Sequence, residues 1–76
     1  MALSLELGAA TSAEVAVYDA AGRLVRTLLA GPVAASRIAL SWDGRDQRGG
    51  ETRAGVYFVR ARAGGGTSVQ RLVRID

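Results

Sequence analysis

Apolar residues of this chain alternate with polar or small ones, and helical spacing is not sustained over two full turns anywhere. Leu3, Leu5 and Leu7 follow this alternation, which predicts a first strand over residues 2–7. Val15 and Val17 repeat it in a second strand. A period of two is typical of strands that bury one face, so we expect sheet structure throughout.

Turn residues separate the predicted strands. Asp19 and Gly22 predict a turn, because Asp accepts hydrogen bonds from the backbone ahead of it and Gly adopts positive φ. A third strand is expected over residues 23–29, ended by the Gly-Pro pair at 31–32, since Pro has no N–H for a ladder. The three glycines at 64–66 predict a tight hairpin turn.

The second half of the chain holds the single Trp. The fourth strand is expected to present one apolar face, made of Ile38, Leu40 and Trp42. In the fifth, over 55–63, the inward side is expected to hold Tyr57, Val59 and Ala61. The last strand, over 67–75, does not alternate cleanly, because Leu72 is on the opposite side from Val69, Val73 and Ile75. We therefore expect a bulge there or an edge position.

Short strands at spacings of roughly ten residues, joined by Gly and Asp turns, predict an all-β antiparallel sandwich of about six to seven strands. The chain has 76 residues and no Pro-rich or Ser-rich linker, so one domain over residues 1–76 is expected. The core is expected to contain Val17, Leu24, Leu40, Trp42, Tyr57 and Val59.

Composition removes several classes of function. Cys and His are both absent, which excludes disulfides, thiolate zinc sites, Cys nucleophiles and imidazole bases. The serines have no His partner, so we expect no enzymatic activity. No stretch reaches the roughly 18 apolar residues that cross a bilayer, so membrane insertion is not expected. The N-terminal segment lacks the basic start of a signal peptide, so any export signal is expected elsewhere.

Charge raises the question of an anionic partner. The net charge is +3 and all ten cationic residues are Arg, which we interpret first as coding bias and second as a selected anion-binding surface. The hairpin is expected to gather a basic stripe of Arg60, Arg62, Arg71 and Arg74. This stripe is either a solvated strand face or a site for an acidic protein or an anionic glycan. Nucleic acid is not expected, since only Tyr18 and Phe58 are available for stacking.

Three carboxylates, Asp43, Asp46 and Glu51, occur in a Gly-rich loop, which raises a calcium site as one hypothesis. Their spacing does not match an EF-hand, and three Arg residues are interleaved with them. We interpret them as turn-capping groups paired with Arg, and expect no metal and no cofactor.

Edge strands are the remaining feature with functional meaning. The first strand, 2–7, has no Pro and no Lys to prevent pairing with another chain. It is therefore expected to pair with a preceding domain or with a neighbouring copy.

Three blocks of the sequence carry a family resemblance. The first is VAVYDAAGRLVRTL at 15–28; the second is LSWDGRDQRGGETRAGVYFVRARAGG, which contains a W-D-G-x-D-x-x-G motif; the third is the closing RLVRI. Over about residues 15–75 the chain resembles the Ig-like domain of flagellar hook-capping proteins and the related C-terminal sorting domains of type IX secretion substrates.

The resemblance implies a non-catalytic Ig-like sandwich at the C-terminus of an exported bacterial protein, secreted or on the cell surface. Trp42 and Tyr57 then correspond to core positions. The family's turn positions correspond to Asp19, Gly22, Asp43, Gly44, Asp46 and Gly55. Because the sequence begins at Met1, two alternatives stay open, an excised domain and a small free-standing protein.

Two functions follow from the resemblance. The leading one is secretion sorting or surface attachment, with the secretion machinery or a neighbouring domain as partner. The competing one is a structural subunit, hook-cap or fibre-like, that associates with like subunits through edge-strand pairing.

Overall fold

The computed structural model describes residues 2–6, 11–33 and 37–75. Its six strands are β1 (Ala2–Glu6), β2 (Thr11–Asp19), β3 (Leu24–Val33), β4 (Arg37–Ser41), β5 (Gly55–Ala63) and β6 (Gly66–Arg74). Strands β3, β2, β5 and β6 form one sheet in that order, and β1 pairs with β4 in a second. All pairings between these strands are antiparallel, and no helix occurs in the described residues. The predicted all-β antiparallel class is confirmed.

The core lies on the inner face of the four-stranded sheet. Its buried cluster consists of Val15, Val17, Trp42, Tyr57 and Val59. Register places Val17 beside Val59 in the two central strands, so alternate residues of β2 and β5 share this face. Trp42 follows β4 and is 1% exposed, which joins the smaller sheet to this core. Leu40 of β4 is half-buried and packs against the same cluster.

The sequence predicts that Leu3, Leu5, Leu7 and Ile38 face inward. The side chains of these four residues lie outside what the structure describes. The backbone of β1 pairs with β4 along its whole length, from Ala2 opposite Ser41 to Glu6 opposite Arg37. The segment predicted as a strand over 2–7 therefore has β4 as its partner within the described part of the chain.

The prediction that the Gly-Pro pair ends the third strand is wrong. Strand β3 continues to Val33, with Gly31 opposite Ala13 and Pro32 opposite Ser12 of β2. Because β3 is an edge strand, half of its N–H groups face away from the sheet, and Pro is tolerated there.

The prediction that Leu24 belongs to the core is also wrong. Leu24 lies opposite Tyr18 on the outer face and is 53% exposed. The register between β2 and β3 shifts twice, which inserts an extra residue into β3 each time. These shifts break the alternation, and the partly buried residues that pack against the core from β3 are Val25, Leu28 and Leu29.

Strand β6 is the other edge of the four-stranded sheet, which is one of the two expectations for this segment. The other expectation, a bulge, does not hold, because its register with β5 runs without interruption from Gly66 to Arg74. Leu72 lies opposite Tyr57 and packs against the core, whereas Val69 and Val73 are exposed on the outer face.

Candidate interaction surface

The loop at 43–54 joins β4 to β5 and is held by the two buried aromatic residues. The indole Nε1 of Trp42 donates to the carbonyl of Arg45 at 2.9 Å. The hydroxyl of Tyr57 donates to the carbonyl of Arg53 at 2.6 Å. A buried N–H or O–H needs an acceptor, so each ring fixes one half of the loop while its apolar surface fills the core.

The two Asp residues of this loop cap backbone N–H groups. Asp43 Oδ1 accepts from the N–H of Arg45 at 3.0 Å. Asp46 Oδ1 accepts from the N–H groups of Arg48 at 2.9 Å and Gly50 at 3.0 Å. Among the described residues, no group of three or more His, Cys, Asp or Glu side chains gathers to hold a metal ion. These carboxylates therefore act on the backbone of their own loop.

Arg74 lies against this loop. A Cβ on Gly44, whose φ is +80°, would be 2.7 Å from the Nε of Arg74. The Nη1 of Arg74 donates to the carbonyl of Thr52, and the N–H of Thr52 donates to the carbonyl of Gly44 at 2.9 Å. Gly44 thus supplies a positive φ, and a larger residue there would have to shift the Arg74 guanidinium.

The turn between β2 and β3 is organised by Asp19. Its Oδ1 accepts from the N–H groups of Ala21 at 3.0 Å and Arg23 at 2.9 Å, and its Oδ2 lies 3.2 Å from Arg23 Nε. The backbone hydrogen bond from Arg23 is the largest of the causes that lower the pKa of Asp19, and the Arg23 charge adds to it. Gly22 supplies the positive φ of this turn, +83°.

The loop at 43–54 covers the first part of the outer edge of β3. The N–H of Gln47 donates to the carbonyl of Val25 at 2.9 Å, and its Oε1 accepts from the N–H of Thr27 at 3.0 Å. Arg26 Nη1 also donates to the carbonyl of Asp46 at 3.1 Å. Gln47 therefore occupies the place of a neighbouring strand residue. Nothing in the sequence pattern singled it out, because one Gln in a polar loop carries no periodicity.

The predicted basic stripe is only partly assembled. Register places Arg60 opposite Val69, Arg62 opposite Thr67 and Arg71 opposite Phe58, all on the outer face of the four-stranded sheet. The expectation that Arg74 joins this stripe is wrong. Arg74 shares the inner side with Leu72, two residues before it in β6, and its guanidinium bonds the loop.

Arg60 is engaged within its own sheet. Its guanidinium carbon is 4.7 Å from the centroid of the Tyr18 ring, and its Nη2 donates to the Tyr18 hydroxyl at 2.6 Å. The same Nη2 lies 4.0 Å from Glu14 Oε1. Arg62 and Arg71 are exposed on either side of Arg60, whose guanidinium is held by Tyr18 and lies near Glu14.

The outer face beside β6 also exposes apolar side chains. Val56 is 38% exposed, Val69 61% and Val73 52%. Val56 lies directly opposite Val73, so the apolar side chains of β5 and β6 are adjacent. A mixed surface of exposed valine and arginine beside an open strand fits contact with protein.

The chain is similar to a known protein family and to a solved structure. The family model for the FlgD Ig-like domain matches residues 1–67. The chain belongs to the FlgD Ig-like domain family. This family is structural and non-enzymatic, and the Ig-like form predicted for the sandwich is confirmed.

A solved structure of FlgD from P. aeruginosa is similar, with a TM-score of 0.72 and 29% sequence identity. The match covers 96% of this chain and 59% of that FlgD chain, so this chain spans less than two thirds of the FlgD chain. No protein with a curated description matches the chain.

These findings confirm the hook-capping part of the resemblance. They give no support to a type IX sorting domain, to the secretion machinery as a partner or to a glycan ligand. Within the described residues, no helix is long and apolar enough to cross a membrane.

Proposed function

We propose that this chain is a single non-catalytic assembly domain of an exported bacterial protein, and that it associates with like subunits by pairing sheet edges. Membership of the FlgD Ig-like family supports the class of function. The observation that carries the proposal is that the four-stranded sheet ends in β6, beyond which no other described strand pairs. An open ladder of N–H and C=O groups is a template for pairing with another chain.

The described polar groups at the turns support a structural role for this domain. The carboxylates of Asp19, Asp43 and Asp46 all accept backbone N–H groups, and the polar atoms of Trp42 and Tyr57 bond the loop. Because these groups make hydrogen bonds within the domain, they hold its turns and its loop in one shape. The exposed surface of the domain then acts by contact with other protein chains.

Self-association distinguishes this proposal from secretion sorting or surface attachment. Sedimentation equilibrium of the chain, from about 1 μM to about 1 mM, covers the range of weak association. An assembly domain gives a mean mass that rises with concentration towards that of a dimer or larger species. A sorting tail stays monomeric, so a constant monomer mass across this range would contradict the proposal.

A further inference from the structure

We infer that a second copy of this chain pairs with β6, strand to strand and antiparallel, about a two-fold axis at Gln70. This inference rests on the proposed self-association and specifies its interface. It follows from the state of each sheet edge, from the backbone groups that β6 directs outward, and from the side chains beside them.

The edges of the described sheets differ in how well they accept another strand. Strand β3 is bonded by Gln47 at Val25 and Thr27, contains Pro32 and has two register shifts against β2. Strands β1 and β4 are each five residues long. Strand β6 is nine residues long, contains no Pro and pairs with β5 without a shift. Long, regular edges of this kind are the ones that recruit a further strand.

The hairpin turn fixes which backbone groups of β6 face outward. Gly64 and Gly65 have φ values of +57° and +84°, as a two-residue type I′ turn requires. The closing pair, Ala63 and Gly66, is then a hydrogen-bonded pair, and such pairs alternate along the ladder. Every second residue from Gly66 bonds β5. The remaining residues direct their N–H and C=O groups to the open side: Thr67, Val69, Arg71 and Val73.

These four outward-facing residues select one antiparallel register. Pairing all four requires Thr67 opposite Val73 of the second copy and Val69 opposite its Arg71, which places Gln70 opposite itself. A slip that pairs Val69 with itself leaves Val73 unpaired. A slip the other way places Arg71 opposite Arg71 of the second copy, and like charges directly opposite destabilise a sheet.

Side chains along β6 are compatible with this two-fold arrangement. Thr67 and Val73 form a β-branched pair, and the exposed Val69 packs on the aliphatic stem of Arg71. Gln70 is exposed and has both a donor and an acceptor, so its amide can bond an identical amide across the axis. A self-complementary patch of this kind is the requirement for an isologous dimer.

Cysteine cross-linking tests the register directly, because the chain contains no Cys. In Gln70→Cys the two thiols would lie opposite each other in a non-hydrogen-bonded pair, with Cβ atoms about 4.5–5.5 Å apart. The two Cβ atoms then need to approach only slightly for a disulfide to form. Ser68→Cys is the register control, since position 68 would face Leu72 of the second copy. Ala30→Cys is the control on the β3 edge.

In a glutathione redox buffer, mass spectrometry and non-reducing gels are expected to show a covalent dimer of Gln70→Cys forming at least about tenfold faster than either control dimer. Equal rates for the three variants would overturn the register. Faster cross-linking of Ala30→Cys would assign the contact to β3.

A second variant tests the backbone contact without Cys. Val69→Pro removes an outward N–H and leaves the bonds between β5 and β6 in place, since Pro is tolerated on edge strands. Val69→Thr is the matched control that keeps the N–H. We expect Val69→Pro to raise the dimer Kd at least about tenfold relative to Val69→Thr, with Tm similar in the two variants.

The two proposals fail in different ways. A chain that dimerises in sedimentation while Gln70→Cys cross-links no faster than Ser68→Cys would overturn the β6 interface and leave self-association standing. A chain that stays monomeric at every concentration would overturn the proposed function and this interface with it.

Discussion

The rings of Trp42 and Tyr57 meet edge to face, with centroids 5.1 Å apart and planes 63° apart. Trp42 follows β4 of the smaller sheet and Tyr57 lies in β5 of the larger one. The indole N–H of Trp42 and the hydroxyl of Tyr57 also each donate a hydrogen bond to the loop at 43–54. One aromatic pair therefore packs the two sheets together and fixes the loop that closes the β3 edge.

Removing the indole is expected to be much more damaging than removing the phenol hydroxyl. Trp42→Ala should lower the free energy of unfolding by about 3–5 kcal/mol, because it leaves a cavity where a fully buried ring was. Tyr57→Phe keeps the ring and loses only the bond to Arg53, at about 1 kcal/mol. Urea denaturation measures both. Similar losses in the two variants would contradict the role given to the ring.

The contact between Gln47 and the edge of β3 can be tested at the backbone amide of Thr27. Gln47→Ala removes the acceptor of the Thr27 N–H, so we expect hydrogen exchange at Thr27 to accelerate and stability to fall by about 1 kcal/mol. Arg48→Ala changes the next, exposed side chain and should stay within about 0.5 kcal/mol of the parent chain. Unchanged exchange at Thr27 in Gln47→Ala would show that the side chain does not close the edge.

Strand β5 shows what the sequence could predict. Its bounds, Gly55–Ala63, and the inward side of Tyr57, Val59 and Ala61 follow from regular alternation in a central strand that has one solvent-facing side. Alternation is local, so it can be read without knowledge of the neighbouring strands.

Strand β3 shows what alternation could not predict. Its two register shifts depend on how β2 pairs with it, and they place Leu28 and Leu29 both against the core while exposing Leu24. The closure by Gln47 likewise depends on contacts twenty residues apart in the chain. Arg74 is a different case, because Arg71 and Arg74 are an odd number of residues apart, and a period of two already places them on opposite faces.

Two glycines of the loop differ in the space around them and form a matched pair of variants. Both have positive φ, +80° at Gly44 and +84° at Gly49, so Ala at either position costs roughly 1–2 kcal/mol of backbone strain. Of the two, only Gly44 has a group within 4 Å of where a Cβ would lie, and that group is the guanidinium of Arg74.

Gly44→Ala should therefore displace Arg74 from the Thr52 carbonyl and cost about 1 kcal/mol more than Gly49→Ala. Thermal unfolding of the two variants gives this difference. Combining Gly44→Ala with Arg74→Ala should remove the excess, and an excess that persists in the double variant would exclude Arg74 as its cause.

The Asp19 turn should make stability depend on pH in one direction. The backbone hydrogen bond from Arg23, with its charge, lowers the pKa of Asp19 in the folded chain, so the folded state favours the ionised carboxyl. Stability from this group is present above the unfolded pKa of about 4 and is lost as pH falls through the folded pKa.

Asp19→Asn keeps an acceptor oxygen and removes the titration. Urea unfolding at several pH values from about 7 to 2 should show the parent chain losing stability more steeply than Asp19→Asn below about pH 4. Parallel pH profiles for the two proteins would contradict this assignment.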